Sequence, residues 1–307
     1  MIGKLGITLT SGLITSLLLV SCSDDNEKNN NKESIVMTKE QGIESNKKTI
    51  EINTMFEVAY YGQPQLIQRY LDHNHSINGV DEKSNATPLF YAIQANQVET
   101  IKPFLENGAT IEHRNSLGQT PLHMAVALGR AKIVEILLES GADINAVDKN
   151  ELRPIIYAIE NKHESIAKNL IKKGADLGPD KNYKLTPLHV AIQHKNIELV
   201  TLLLSKEFDK NTQNIDGYTP LHYAVIGNSF RALELLVKSG VKIDLKDNEG
   251  STPLRIATSK NQIKMIKFLL KNGADKNIKD NKGESSLDFA KKSWSQALKK
   301  VLLYENK

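Results

Sequence analysis

Apolar and polar positions follow one another along this chain in a long, fixed measure. Thr120-Pro121-Leu122-His123-Met124-Ala125 returns as Thr186-Pro187-Leu188-His189-Val190-Ala191 and as Thr219-Pro220-Leu221-His222-Tyr223-Ala224. Weaker copies open at Thr87 and Thr252, and degenerate ones at Arg153 and Ser285. The closing alanine falls at 59, 92, 125, 158, 191, 224, 257 and 290, a constant step of 33 residues. A period in this range marks a stacked repeat array. The pattern predicts two helices per unit. Threonine caps an orphan N–H, and proline fits the first helical position because its missing N–H has no partner there. Leucine and alanine follow on the buried face. Four residues after the alanine stand Asn96, Gly129, Lys162, Lys195, Asn228 and Asn261. Glycine and asparagine suit the left-handed turn that ends a helix; the two lysines fit it less well. A second helix follows, as in Ala131 to Leu138, with apolar residues at helical spacing. Gly108, Gly141, Gly174 and Gly273 then stop it, and a polar segment leads into the next unit.

Recurring in phase, Thr-Pro-Leu-His, Leu-Leu and Gly-Ala-Asp resemble the ankyrin repeat over roughly residues 49–307. The resemblance implies an all-α solenoid of about eight 33-residue helix-turn-helix units, with hairpin loops standing out at a right angle and a slightly concave, elongated shape. The units fall at about 49–81, 82–114, 115–147, 148–180, 181–213, 214–246, 247–279 and 280–307. One helix pair cannot bury its own apolar face, so neighbours stabilise one another by stacking. The first unit reads as one residue short between Ala59 and Gly62. The fourth has Arg153 in place of Thr, and the fifth lacks the glycine stop, having Glu207-Phe208-Asp209. The eighth is polar and lysine-rich, as a solubilising cap would be.

The start of the chain breaks the measure. Lys4 precedes an uncharged, apolar run from Leu5 to Val20, and Leu19-Val20-Ser21-Cys22 closes it. This pattern reads as a secretory signal peptide over 1–21. Its ending resembles the lipobox of bacterial lipoproteins, which implies cleavage before Cys22 and lipid attachment to it. Cys22 is the only cysteine, so no intramolecular disulfide forms. Residues 22–48 are polar enough to read as a disordered tether. A coil of that length reaches about 25–30 Å. The expected location is therefore a bacterial cell envelope, lipid-anchored, on the outer membrane and facing either the periplasm or the surface.

The net charge of +4 is too mild to suggest nucleic acid. It is unevenly spread: from residue 247 onward, 13 Lys plus Arg face 7 Asp plus Glu. A basic end of this kind fits a solvated cap face better than it fits an acidic partner or anionic lipid.

Chemistry is sparse. His123, His189 and His222 share one phase of the repeat, but helices about 8–10 Å apart do not converge imidazoles on one zinc ion. The resemblance implies a structural hydrogen-bonding role for them, and Thr120 and Pro121 are likewise structural residues of the repeat. No nucleophile elbow, phosphate-binding glycine loop or metalloprotease motif is present. The expectation is no catalytic residue, metal, cofactor or small-molecule substrate, in a monomer that binds an unknown protein. By the same resemblance, the loop tips and the exposed side of the first helices form the binding face. Loops are normally polar, so Leu117, Leu152, Tyr183, Leu185 and Tyr218 mark candidate contacts; tyrosine in particular is enriched at binding hot spots. The alternatives are a host-directed binding protein of an intracellular bacterium and an inhibitor or immunity-like partner of an enzyme.

Overall fold

The computed structural model describes residues 35–37 and 50–304. The expected signal segment 1–21 and Cys22 lie outside the described residues. The chain falls into two compact units, one ending at Lys149 and one beginning at Asn150.

In the first unit, strand β1 (Ile35–Met37) pairs antiparallel with β2 (Ile50–Ile52), Ile35 opposite Ile52. β1 falls inside the stretch 22–48, whose overall polarity had suggested only a tether; Ile35-Val36-Met37 is a short β-prone apolar run within it. Three helix pairs follow. They are α1 (Met55–Tyr60) with α2 (Ile67–Asp72), α3 (Pro88–Gln94) with α4 (Val98–Glu106), and α5 (Pro121–Ala127) with α6 (Ala131–Glu139). The Tyr70 hydroxyl on α2 donates to the Ile52 carbonyl and ties the ribbon to the first pair.

The second unit holds five pairs. They are α7 (Pro154–Glu160) with α8 (Glu164–Lys172), α9 (Pro187–Gln193) with α10 (Ile197–Leu204), and α11 (Pro220–Ile226) with α12 (Phe230–Lys238). Then come α13 (Pro253–Ser259) with α14 (Ile263–Lys271), and α15 (Ser286–Lys292) with α16 (Gln296–Lys299), which runs into a π turn over Lys300–Tyr304. Within each unit, consecutive odd-numbered helices pack side by side. Apart from the β1–β2 ribbon and an isolated antiparallel bridge between Lys279 and Ser285, the described residues are helical hairpins and turns.

The local chemistry follows the repeat. Thr54, Thr120, Thr186, Thr219, Thr252 and Ser285 each accept the backbone N–H three residues on, closing the first turn of their helix. Arg153 has no such oxygen; its guanidinium instead pairs with Asp176 at 2.7 Å. All eight alanines of the measure are completely buried. A larger side chain there would force neighbouring odd-numbered helices of the same unit apart, which costs about 1–3 kcal/mol or more.

Lys162 and Lys195 adopt the same left-handed φ, 60° and 56°, as their glycine and asparagine counterparts. The next residues' N–H groups, of His163 and Asn196, reach back to the Ala158 and Ala191 carbonyls at 2.8 and 3.0 Å. That bond fixes the turn and overrides the lysines' own preference. The shortened first unit is visible as well. α1 has six residues where the other odd-numbered helices have seven, and its left-handed residue, Gly62, comes one position early. In the unit without a glycine stop, α10 ends at Leu204, a residue sooner than α8 or α12, and the Ser205 hydroxyl donates to the Leu202 carbonyl at 2.6 Å.

Candidate functional site

From α3 onward the odd-numbered helices are entered from hairpin tips, and the tips are built alike. An Asn or Asp ahead of each helix cap turns its side-chain oxygen inward. Asn214 Oδ1 accepts the Asp216 and Tyr218 N–H groups at 3.0 and 2.8 Å; Asp247 Oδ1 accepts those of Glu249 and Ser251 at 2.9 and 2.8 Å. Asn115 and Asp280 do the same in their tips. Two residues before the cap the chain is left-handed every time, at Asn85, Gly118, Glu151, Lys184, Gly217, Gly250 and Gly283. Neighbouring tips are then joined by backbone bonds. Ser116 N–H donates to Ser84 and Lys149 N–H to Leu117 in the first unit. In the second, Ile215 donates to Tyr183, Asn248 to Asp216 and Asn281 to Glu249, at 2.9–3.1 Å.

Behind the tips lie the histidines. His123, His189 and His222 are fully buried. The backbone N–H groups of Thr120, Thr186 and Thr219 donate to their Nδ1 atoms at 3.2, 3.2 and 3.1 Å. Nδ1 therefore carries the lone pair and the ring proton sits on Nε2. That proton is donated onward at 3.1 Å, by His189 to the Tyr218 carbonyl and by His222 to the Ser251 carbonyl, each in the next tip. Burial is the main cause that pushes both imidazoles down to a pKa of about 4, so they are neutral at pH 7. In the next repeat Arg255 takes the histidine's place. It lies over the Phe289 ring and reaches Asp280 and Glu284 at 3.2 and 2.6 Å. With both nitrogens of His189 and His222 already engaged, they offer no lone pair to a metal. Among the described residues no cluster of three or more His, Cys, Asp or Glu is placed to hold an ion.

The five candidate contacts divide. Leu152 and Leu185 are only 2% and 3% exposed and are not available to a partner. The position just before the helix cap faces the helix stack, and a leucine there is engulfed. Tyr218 occupies the same position with a longer ring. Its edge rests on His222 and Tyr223, at 5.7 and 6.4 Å between centroids, and it stays half-exposed. Tyr183 and Leu117 are half-exposed, and their carbonyls belong to the tip ladder.

Ile215 also belongs to the tip positions of the implied binding face, and it is 52% exposed on the tip between Tyr183 and Tyr218 along the ladder. Its chemistry is only that of an apolar residue in a polar loop, the same signal carried by the leucines that proved buried. Asp216 and Glu249 are exposed nearby. The Tyr218 pKa is raised, first by burial and then by the carboxylates of Asp247, Glu249 and Asp216. The tip row here is thus an apolar and aromatic patch with an acidic border. A second feature, a shallow groove between α8 and α10 lined by Ile171, Ile197 and Leu202, has Lys168 across it, held by Glu164 and Glu198 at 2.5 and 2.9 Å.

None of these groups converges as a nucleophile, base and oxyanion pocket must. No helix among the described residues is long and apolar enough to cross a membrane. A family model described as ankyrin repeats in three copies matches residues 55–148, 145–214 and 207–280. No protein of curated function matches the chain.

Proposed function

This chain belongs to the ankyrin repeat family, and on that premise we propose that it is a lipid-anchored envelope protein gripping a partner protein through the tips of its second unit. It is a non-catalytic scaffold of the kind that mediates protein–protein contacts. What supports the tip row as the contact is Ile215. Its side chain is half in water on a backbone fixed from both sides, beside two tyrosines that have apolar area left to bury. Rigid aromatic and aliphatic anchors lose little entropy on binding, and such residues carry most of an interface's energy. The acidic border of Asp216 and Glu249 favours a partner that sets a cation beside an apolar group. The anchor rests on the Leu-Val-Ser-Cys segment before the array.

The experiment is an affinity purification from the native organism with wild type and with Ile215→Ser/Tyr218→Ala. A partner held by the tips is lost from the variant, on the order of 100-fold weaker for two anchor residues. A partner retained at full strength would place the contact elsewhere. Labelled palmitate incorporated by wild type and not by Cys22→Ala supports the anchor; fractionation unchanged in that variant sinks it.

A further inference from the structure

Trp294 is the chain's one tryptophan, and it is 97% exposed. It stands in the three-residue link between α15 and α16. That link is not slack. The Ser293 N–H donates to the Ala290 carbonyl at 3.2 Å, and the Ser293 hydroxyl accepts the Ser295 N–H at 3.1 Å. The Ser295 hydroxyl caps α16 through the Leu298 N–H at 3.2 Å and donates to the Asn261 side chain at 3.0 Å. The backbone is thus pinned on both sides of an indole that points into water.

The sequence on either side of it is cationic. Residues 291–300 contain Lys291, Lys292, Lys299 and Lys300 and no acid. Lys291 and Lys292 reach back to Asp288 and Glu284 at 3.5 and 3.2 Å but remain exposed, and such surface pairs exchange readily for another anion. The apolar residues that follow, Leu298, Val301 and Leu302, are buried. The protruding surface is therefore a single indole bordered in sequence by ammonium groups, without the apolar shelf that a protein hot spot needs around its anchor.

The lysines by themselves fit a solvated cap face, but the exposed indole among them changes that reading: we propose that this edge docks on an anionic lipid bilayer, with the Trp294 ring entering the headgroup layer and the four lysines meeting lipid phosphates. Tryptophan partitions to that layer, and clustered lysines are drawn to the negative surface potential. The inference does not depend on acylation of Cys22, and its test removes that modification.

Because Trp294 is the sole tryptophan, the full chain reports on it directly. Cys22→Ala protein is mixed with vesicles of phosphatidylglycerol and, separately, of phosphatidylcholine. The expected result is a blue-shifted emission and reduced acrylamide quenching on the anionic vesicles alone. Replacing Lys291, Lys292, Lys299 and Lys300 by Gln should weaken that response at least about 100-fold, at roughly fivefold per lysine near a charged surface. All five positions are at the surface or half-exposed, so circular dichroism of the variants should stay unchanged. Emission that does not move on phosphatidylglycerol overturns the proposal, even if the chain sediments with the vesicles through its apolar leader. So does an equal shift on phosphatidylcholine, or a shift that follows protein concentration without lipid, which would assign the indole to a second copy.

Discussion

The buried histidines make acidification the most informative perturbation of this array. His189 and His222 have pKa values near 4 in the folded chain against 6.5 when solvated. Between those limits the unfolded chain binds protons that the folded chain refuses. Their contribution to stability is therefore complete above pH 6.5, declines as the pH falls, and is gone by about pH 4. The full displacement corresponds to roughly 3 kcal/mol per histidine, and to about 2 kcal/mol each once pH 5 is reached. Two histidines acting together would then remove about 4 kcal/mol at pH 5, a large part of the 5–15 kcal/mol that holds a typical domain folded.

The assay is urea denaturation at pH 7 and pH 5, for wild type and for His189→Gln/His222→Gln. Glutamine keeps an acceptor for the threonine N–H and a donor for the next tip but does not titrate. Subtracting the variant's pH dependence from the wild type's removes the contributions of Asp244, Asp247 and Glu112. Burial raises all three of those carboxylates, and they act in the opposite direction. The wild-type minus variant difference should come to about 4 kcal/mol less stability at pH 5. A wild-type pH slope that survives the double substitution would refute the reasoning, as would nuclear magnetic resonance titration of either imidazole near 6.5.

Two further outcomes follow from the tips and caps. Gly217 has φ near +80°, and an added Cβ would lie 2.6 Å from the Asn248 nitrogen and 2.9 Å from the Asp247 carbonyl carbon. Gly217→Ala should therefore cost about 2–4 kcal/mol, while Lys184→Gly, at the same phase with φ 52°, should stabilise by about 0.5–1 kcal/mol; urea midpoints measure both. Thr120 caps α5 through its hydroxyl, whereas the buried Thr87 hydroxyl has no hydrogen-bond partner. Thr120→Val should cost about 1–2 kcal/mol and Thr87→Val close to nothing in thermal denaturation, and equal losses would contradict the cap assignment.

What the sequence makes legible here is whatever the repeat dictates, and what it hides is whatever a tip does with its own side chains. The alanine step of 33 residues marks every odd-numbered helix, because only a residue without a side chain beyond Cβ fits where those helices touch within a unit. The left-handed turn after each of them could be placed even under Lys162 and Lys195, since a hydrogen bond back to the buried alanine's carbonyl decides it. The second left-handed position, two residues before each cap, had a signal in Gly118, Gly217, Gly250 and Gly283, but Glu151 and Lys184 interrupt it. The Asn or Asp that braces each tip shifts by a residue, standing five before the cap at Asn115, Asn214, Asp247 and Asp280 but six before it at Asp180. Exposure is the harder quantity. Leu152, Leu185 and Tyr218 share one phase, yet the two leucines are engulfed while the longer, hydroxyl-bearing ring of Tyr218 stays half-exposed. Ile215 is free because its phase, beside the tip's turn, points away from the stack. A repeat frame of this kind confines variation to positions whose neighbours are water, and there a single substitution changes what is recognised without touching what holds the array together.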